Sequence, residues 1–220
     1  MTTAPVQPTT ALHLAQLTLE ARSRDVHRDL KDATRLHHTV QALFPDALGT
    51  TPRAATHTLY RVEREQTGAT LLIQSTLPIN RNALPAGYAR QVDHRDLAPL
   101  LHWITEGRLV RYRIDANPIK TVPVPGQRGK RVPVAGDEAL AWWQRQAAKA
   151  GLASQLVLDL PQPDVLATRG EAKRIRLRAI RFEGVATVTD PDALRTAITS
   201  GIGQGRAYGL GLLSLAPYRP

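Results

Sequence analysis

Apolar residues at Leu12, Leu14, Leu17 and Leu19 alternate imperfectly with polar ones and predict a first strand. The basic stretch that follows, with Arg22, Arg24, His27 and Arg28, reads as a loop. Asp32 then stands where a helix N-cap belongs, and Ala33, Leu36, Val40, Leu43 and Phe44 fall at helical spacing until Pro45 closes the pattern. Two β-rich runs at 56–65 and 69–76, joined by a turn containing Gly68, predict a hairpin. Residues 77–104, broken by Pro78, Pro85, Gly87 and Pro99, carry little regular signal, and a domain boundary is placed at their end.

Clean alternation returns in GRLVRYRIDANP, with Val110, Tyr112 and Ile114 on one face and Leu109, Arg111 and Arg113 on the other, as in an edge or half-solvated strand. Residues 120–136 are rich in Pro, Gly and basic side chains and predict a projecting loop or hairpin; 137–150 predict a helix. Strands are expected at 155–160 and 173–189, the latter setting Arg174, Arg176 and Arg178 opposite Ile175, Leu177 and Ala179. Asp190 caps a helix that starts on Pro191 and runs to about Ser200. A glycine loop and a last apolar strand close the chain. Each half thus repeats the split βαβ order, which implies an α+β protein of two tandem ferredoxin-like (RRM-like) βαββαβ domains. They span 11–104 and 105–220, behind a Thr- and Pro-rich disordered leader at 1–10. The second helix of the first half is faint.

Charge changes the picture. Among 220 residues, 29 Lys and Arg oppose 19 Asp and Glu, a formal +10 that calls for an acidic partner, nucleic acid or anionic membrane. Hydrophobic residues at 42% and charged residues at 22% argue for a packed core rather than disorder. The absence of Cys removes disulfides, thiolate nucleophiles and cysteine-bearing metal sites, and agrees with a reducing cytoplasm. The N-terminal stretch has no basic start and no apolar run approaches the ~18 residues of a bilayer span, so a soluble protein with no membrane partner is expected.

The cationic side chains cluster. Arg128, Lys130, Arg131, Arg169, Lys173, Arg174, Arg176 and Arg178, joined by Arg22 and Lys120, favour a nucleic-acid surface over an ordinary solvated face. Aromatics are only 5% and no strand carries an aromatic stripe, which disfavours base stacking on an open sheet and leaves shape and phosphate recognition of a duplex or hairpin. The run Gly201, Gly203, Gly205, Gly209 and Gly211, with Arg206 inside it, follows a helix and enters a strand, the wrong context for a dinucleotide fingerprint. It serves either as a flexible turn or as a close approach of backbone amides to phosphate.

No HExxH pattern or paired-carboxylate cluster marks a metal site, and metal-free, cofactor-free chemistry is the expectation. Thr34, His37, His38 and Gln41 fall at i, i+3, i+4 and i+7, a polar helix face beside the apolar stripe. His37 is therefore either a surface histidine or an imidazole able to move protons near neutral pH, as RNA cleavage by its own 2′-hydroxyl requires.

The segments SRDVHRDLKDATRLHHTVQALFP, RYRIDANPIK, RFEGVATVTDP and GIGQGRAYGLGLLSLAP, in this order and spacing, resemble the CasE endoribonucleases of type I-E CRISPR systems over residues 11–217. The resemblance implies a metal-independent nuclease that cuts the CRISPR repeat transcript at its hairpin and stays bound to the product beside the other protein subunits of Cascade. It places the catalytic histidine on His37, the RNA-backbone element on Gly203, Gly205, Arg206 and Gly209, and the hairpin that grips the duplex on 169–178. Where the family commonly carries a Tyr three residues before that histidine, this chain has Thr34. A threonine hydroxyl is too weakly acidic to replace phenol, so either another group assists, with His38 and His27 as candidates, or cleavage leans on His37 and slows; Arg24 and Arg28 are candidate stabilisers of the developing charge. The competing expectation is a hairpin-holding Cascade subunit with feeble or lost chemistry; a generic RNA binder is disfavoured by the joint occurrence of the four segments.

Overall fold

The computed structural model describes residues 11–45, 55–169 and 173–218. The expected leader at 1–10 lies outside the described residues. Strand β1 (His13–Leu19) is followed by helices α1 (Arg24–Lys31) and α2 (Ala33–Gln41), the hairpin β2 (Leu59–Glu65) and β3 (Gly68–Ser75), a 3-10 turn at Arg81–Ala83 and β4 (Ala89–Asp96). These strands form an antiparallel sheet in the order β2-β3-β1-β4. Helix α3 (Ala98–Trp103) leads into β5 (Leu109–Ala116), the separate hairpin of β6 (Ile119–Val124) and β7 (Gln127–Pro133), and α4 (Asp137–Lys149). Then come β8 (Leu152–Arg169), β9 (Lys173–Val188), α5 (Pro191–Ser200), a 3-10 turn at Arg206–Tyr208 and β10 (Ser214–Pro217). The second sheet runs β10-β5-β9-β8, again antiparallel. Numbered within its own half, each sheet has the order 4-1-3-2, the ferredoxin-like arrangement in duplicate. In the first half, the 3-10 turn stands where the second helix would be.

Alternation puts the apolar residues of each sheet on one face, and helices cover that face. Leu17, Leu19, Leu71 and Ile73 meet Val26, Leu36 and Val40 in the first core. The second is built on Val110, Ile114, Phe182 and Val188 beneath Trp142, Trp143, Leu194 and Ile198; it also takes in Leu12, Leu97, Leu101 and Ile104. Trp143 stacks on Phe182 at 5.5 Å and 11° and donates a 3.0 Å bond to the Tyr112 hydroxyl, which donates in turn to the Leu156 carbonyl. Gly184 lies under that carbonyl, where a Cβ would sit 1.8 Å from the oxygen, so any side chain there would displace the strand.

Four local expectations are corrected. The basic stretch after β1 is helix α1, not a loop: Ser23 caps it, Asp25 lies in its first turn, and Arg28 and Lys31 in its last, each favourable to the helix dipole. Val26 and Leu30 are its only aliphatic residues, too few for a periodic signal. Within 77–104, β4 and α3 are regular; β4 is almost wholly exposed, an edge strand with no buried face to impose alternation. Strand β5 is half solvated as expected but lies inside the sheet, between β10 and β9. Strand β8 continues nine residues past 160 through Pro161 and Pro163, with a register shift between Gln162 and Val165. An edge strand tolerates proline because its outward N–H has no ladder partner to lose.

Candidate active site and nucleic-acid interface

Asp32 ends α1 and begins α2. In an extended conformation it breaks the first helix, and its side chain accepts from the Thr34 N–H at 2.9 Å. Leu36 and Val40 point into the first core, which leaves His37 half-buried and His38 exposed on the adjoining face, their rings 5.9 Å apart. The buried Asp29 ties α1 to α2: its carboxylate accepts from Thr39 Oγ1 at 2.6 Å, from the Tyr88 hydroxyl at 2.9 Å and from Arg28 Nε at 3.3 Å. Burial and the adjacent Asp29 charge push the Tyr88 phenol far up, so it stays a neutral donor.

Helix α2 packs between two elements of the second half, the glycine loop and the long strand β8. Tyr60 pins the first contact: its buried hydroxyl donates 2.8 Å to the Ala207 carbonyl and lies 3.5 Å from that of Ala33. Gly209, at φ +81°, fits against the Tyr60 ring, where a Cβ would approach to 3.0 Å. Gly209 therefore serves first to lay the loop on Tyr60, and Arg206 donates from the loop to the Ser200 carbonyl at the end of α5 at 2.8 Å. At the second contact, the Thr34 hydroxyl bonds to the backbone of Thr168 near the far end of β8.

The expected cationic residues form three exposed groups. Arg22, Arg24, His27 and Arg28 lie on and before α1; Arg28 pairs with Asp25 at 2.9 Å as well as with Asp29. Arg174, Arg176 and Arg178 line one face of β9, with Arg176 paired to Asp164, and the Arg169 and Lys173 backbones close this hairpin. The hairpin of β6 and β7 carries Lys120, paired with Glu138, together with Lys130 and Arg131, and the Arg128 backbone lies on β7. It touches the glycine loop through a 3.3 Å bond from Arg131 to Gln204, and Asn117, just before β6, bridges to the same Gln204. Thus the β6–β7 hairpin, the glycine loop, α2 and the arm of β8 and β9 are linked in series, with α2, the helix that carries His37, touching both the loop and β8. Among the described residues, no three His, Cys, Asp or Glu side chains gather as metal ligands.

The sequence reading missed the ionic seam that holds the halves together. Arg61, 2% exposed on β2, reaches Glu63 at 2.8 Å, the Leu212 carbonyl at 2.9 Å and Ser214 Oγ at 3.0 Å. From β9, Arg181 forks onto Asp115 at 2.7 and 2.9 Å and also meets Glu63 at 2.7 Å. Burial acts to raise the Glu63 carboxyl, but Arg61 and Arg181 outweigh it and hold the group below its ordinary 4.5. The stabilisation is therefore present above that value and lost as pH falls through the lowered one. Glu63→Gln leaves the buried Arg61 without its carboxylate and the partly buried Arg181 with Asp115 alone, and is expected to cost about 3 kcal/mol at pH 7, a gap that closes in acid as the parent becomes neutral at the same site. Thermal unfolding of both proteins across pH 3 to 7 checks this; a gap independent of pH contradicts it. Periodicity shows only a charged strand face here, because the partners come from four strands.

Two ferredoxin-like sheets in tandem, joined by an ionic seam and bearing a cationic surface beside a histidine-bearing helix, define an α+β protein of the tandem ferredoxin-like class. The chain belongs to the CRISPR associated protein family, whose pattern it matches over residues 12–217. It is 30% identical to the CRISPR-associated endoribonuclease Cse3 of Thermus thermophilus, over 93% of this chain and 99% of that one. It is 31% identical to the CRISPR system Cascade subunit CasE of Escherichia coli, over 85% of this chain and 93% of that one. The solved structure of CRISPR endoribonuclease Cse3 bound to 19 nt RNA superposes with a TM-score of 0.80 at 30% identity, covering 94% of this chain and all of that one. Among the described residues, no helix is long and apolar enough to cross a membrane.

Proposed function

We infer that this chain is a CasE-type endoribonuclease that cuts CRISPR precursor RNA within the repeat, recognising the repeat's sequence and its hairpin, and remains on the mature guide RNA as a Cascade subunit. The observation that carries the reading is the helix of His37 wedged between the glycine loop and the basic β8–β9 arm, in a chain 30% identical to a named endoribonuclease along nearly its whole length. The cationic surface suits a phosphate backbone, and exposed leucines on β8 at 156, 158 and 160 suit contact with further protein subunits. The division of labour assigns the histidine to 11–104 and most of the RNA grip to 105–220, with Arg22 adding charge from the first half. The site of action is the cytoplasm, where such transcripts are made.

Chemistry proceeds without metal. The ribose 2′-oxygen attacks the adjacent phosphorus and loses its proton to a base; the P–O5′ bond breaks and the departing oxygen takes a proton, leaving a 2′,3′-cyclic phosphate and a 5′-hydroxyl. His37 supplies one of these transfers, with His38 or His27 as assistants. Arg24, and Arg28 once released from its carboxylates, offset the growing negative charge. A 2′-deoxy substitution at the cleaved ribose, assayed with labelled repeat RNA in EDTA, is expected to abolish cutting while leaving affinity within about twofold. Cleavage of the deoxy substrate contradicts this mechanism. One observation favours a second reading, a hairpin holder with little activity: the Thr34 hydroxyl is already engaged by Thr168. Tight binding of the unmodified repeat with no product selects that reading.

A further inference from the structure

The contact between Thr34 and Thr168 spans 134 positions of sequence and joins the two halves beside His37. The hydroxyl of Thr34 donates to the Thr168 carbonyl at 2.8 Å and accepts from the Thr168 N–H at 3.1 Å. Asp32 Oδ1 accepts from the same N–H at 3.3 Å while capping α2 through the Thr34 N–H. Burial acts to raise the Asp32 carboxyl, and the bonds from Thr34 and Thr168 outweigh it and hold it down. Strand β8 is the edge of its sheet, and Thr168 turns its outward N–H and C=O to α2, which occupies the place of a neighbouring strand.

The position of this contact matters for the chemistry. Thr168 pairs with Arg174 across the β8–β9 ladder, so the contact sits at the tip end of the arginine row, one pair from the turn that closes the hairpin. Thr34 lies one helical turn before His37 on the same face of α2. A cleft of about 370 Å³ opens beside it, bordered by Lys31, Asp32, Thr168, Arg174 and Arg176. The single donor of the hydroxyl is committed to the Thr168 carbonyl and one of its acceptor sites to the Thr168 N–H, so its proton is already directed at backbone rather than at a substrate.

We propose that Thr34, with Asp32, is a positioning residue: it latches the basic β8–β9 arm to the helix of His37, so that RNA gripped by the arm presents its scissile linkage to the imidazole. This rests on the endoribonuclease reading and assigns Thr34 a role other than proton transfer. Geometry is the lever, since a misplacement of about 1 Å costs ~10² in rate.

The test compares the parent, Thr34→Val and Thr34→Ser in single-turnover cleavage of repeat RNA at saturating enzyme across pH 5 to 9. Amide exchange at Thr168 is measured alongside. Valine keeps the shape and removes both Thr34 bonds; it is expected to slow cleavage ~10- to 100-fold and to speed exchange of the Thr168 amide, which keeps only the longer bond to Asp32, with the pH profile unmoved in position and shape. Serine keeps the hydroxyl and is expected to restore both readouts to within about twofold. A parental rate in Thr34→Val, an unchanged Thr168 amide, or loss of one limb of the pH profile each overturns the latch, the last by giving Thr34 a proton-transfer role. Should the parent bind repeat RNA without cutting it, the endoribonuclease reading fails separately, and Thr168 exchange in the two variants still decides whether the latch exists.

Discussion

Replacing His37 by alanine is expected to slow cleavage of the repeat RNA by ~10² to 10⁴ while leaving its affinity within about threefold. One positioned acid or base is worth that much, equivalent to about 3 to 5 kcal/mol of barrier. Binding is expected to be spared because the cationic groups proposed to hold phosphate lie on α1, the two hairpins and the glycine loop rather than at His37. His37 itself is half-buried on α2, with Leu36 and Val40 anchoring the helix beneath it, so truncation leaves the core intact. The pH profile of single turnovers separates the two roles. A general acid makes the rate fall as pH rises through the imidazole titration, and a general base makes it rise. A His37→Ala variant that cuts at the parental rate removes this residue from the mechanism.

The second large effect is on binding. Affinity for the repeat hairpin is expected to drop by ~10³ to 10⁵ between 50 and 200 mM salt if six to ten phosphates are neutralised. The net charge of +10 and the exposed groups on α1, β6–β7 and β9 supply enough cations for that number. Several of them are already paired, Arg28 with Asp25, Arg176 with Asp164 and Lys120 with Glu138. Exposed pairs of this kind are worth only ~0 to 1 kcal/mol, so a phosphate can displace the carboxylate at small cost. Neutralising Arg174 or Arg178 should lower the slope of log affinity against log salt by about one each. A change of less than tenfold over the same range contradicts the basic-surface assignment.

Much of the fold is legible because burial writes a period into the chain. Val110, Tyr112 and Ile114 alternate because one face of β5 meets the core, and Asp32 and Asp190 announce helices because unsatisfied N–H groups need an acceptor. The elements that escaped have no such pressure. Helix α1 buries little beyond Val26 and Asp29, and β4 is exposed along nearly its whole length. The candidate site divides the same way. His37 stands out on a polar helix face, whereas Tyr60 looks like any aromatic core residue until its hydroxyl is seen on Ala207.

From its own residues the chain determines two ferredoxin-like halves, a cationic surface and a histidine at helical spacing, since each follows from local alternation, capping or composition. Only the tertiary structure decided that Arg61, Glu63, Asp115 and Arg181 form one buried seam and that Thr34 holds the backbone of Thr168. A hydrogen bond between a side chain and a distant backbone group leaves no periodic trace, because any residue at the acceptor position offers the same carbonyl.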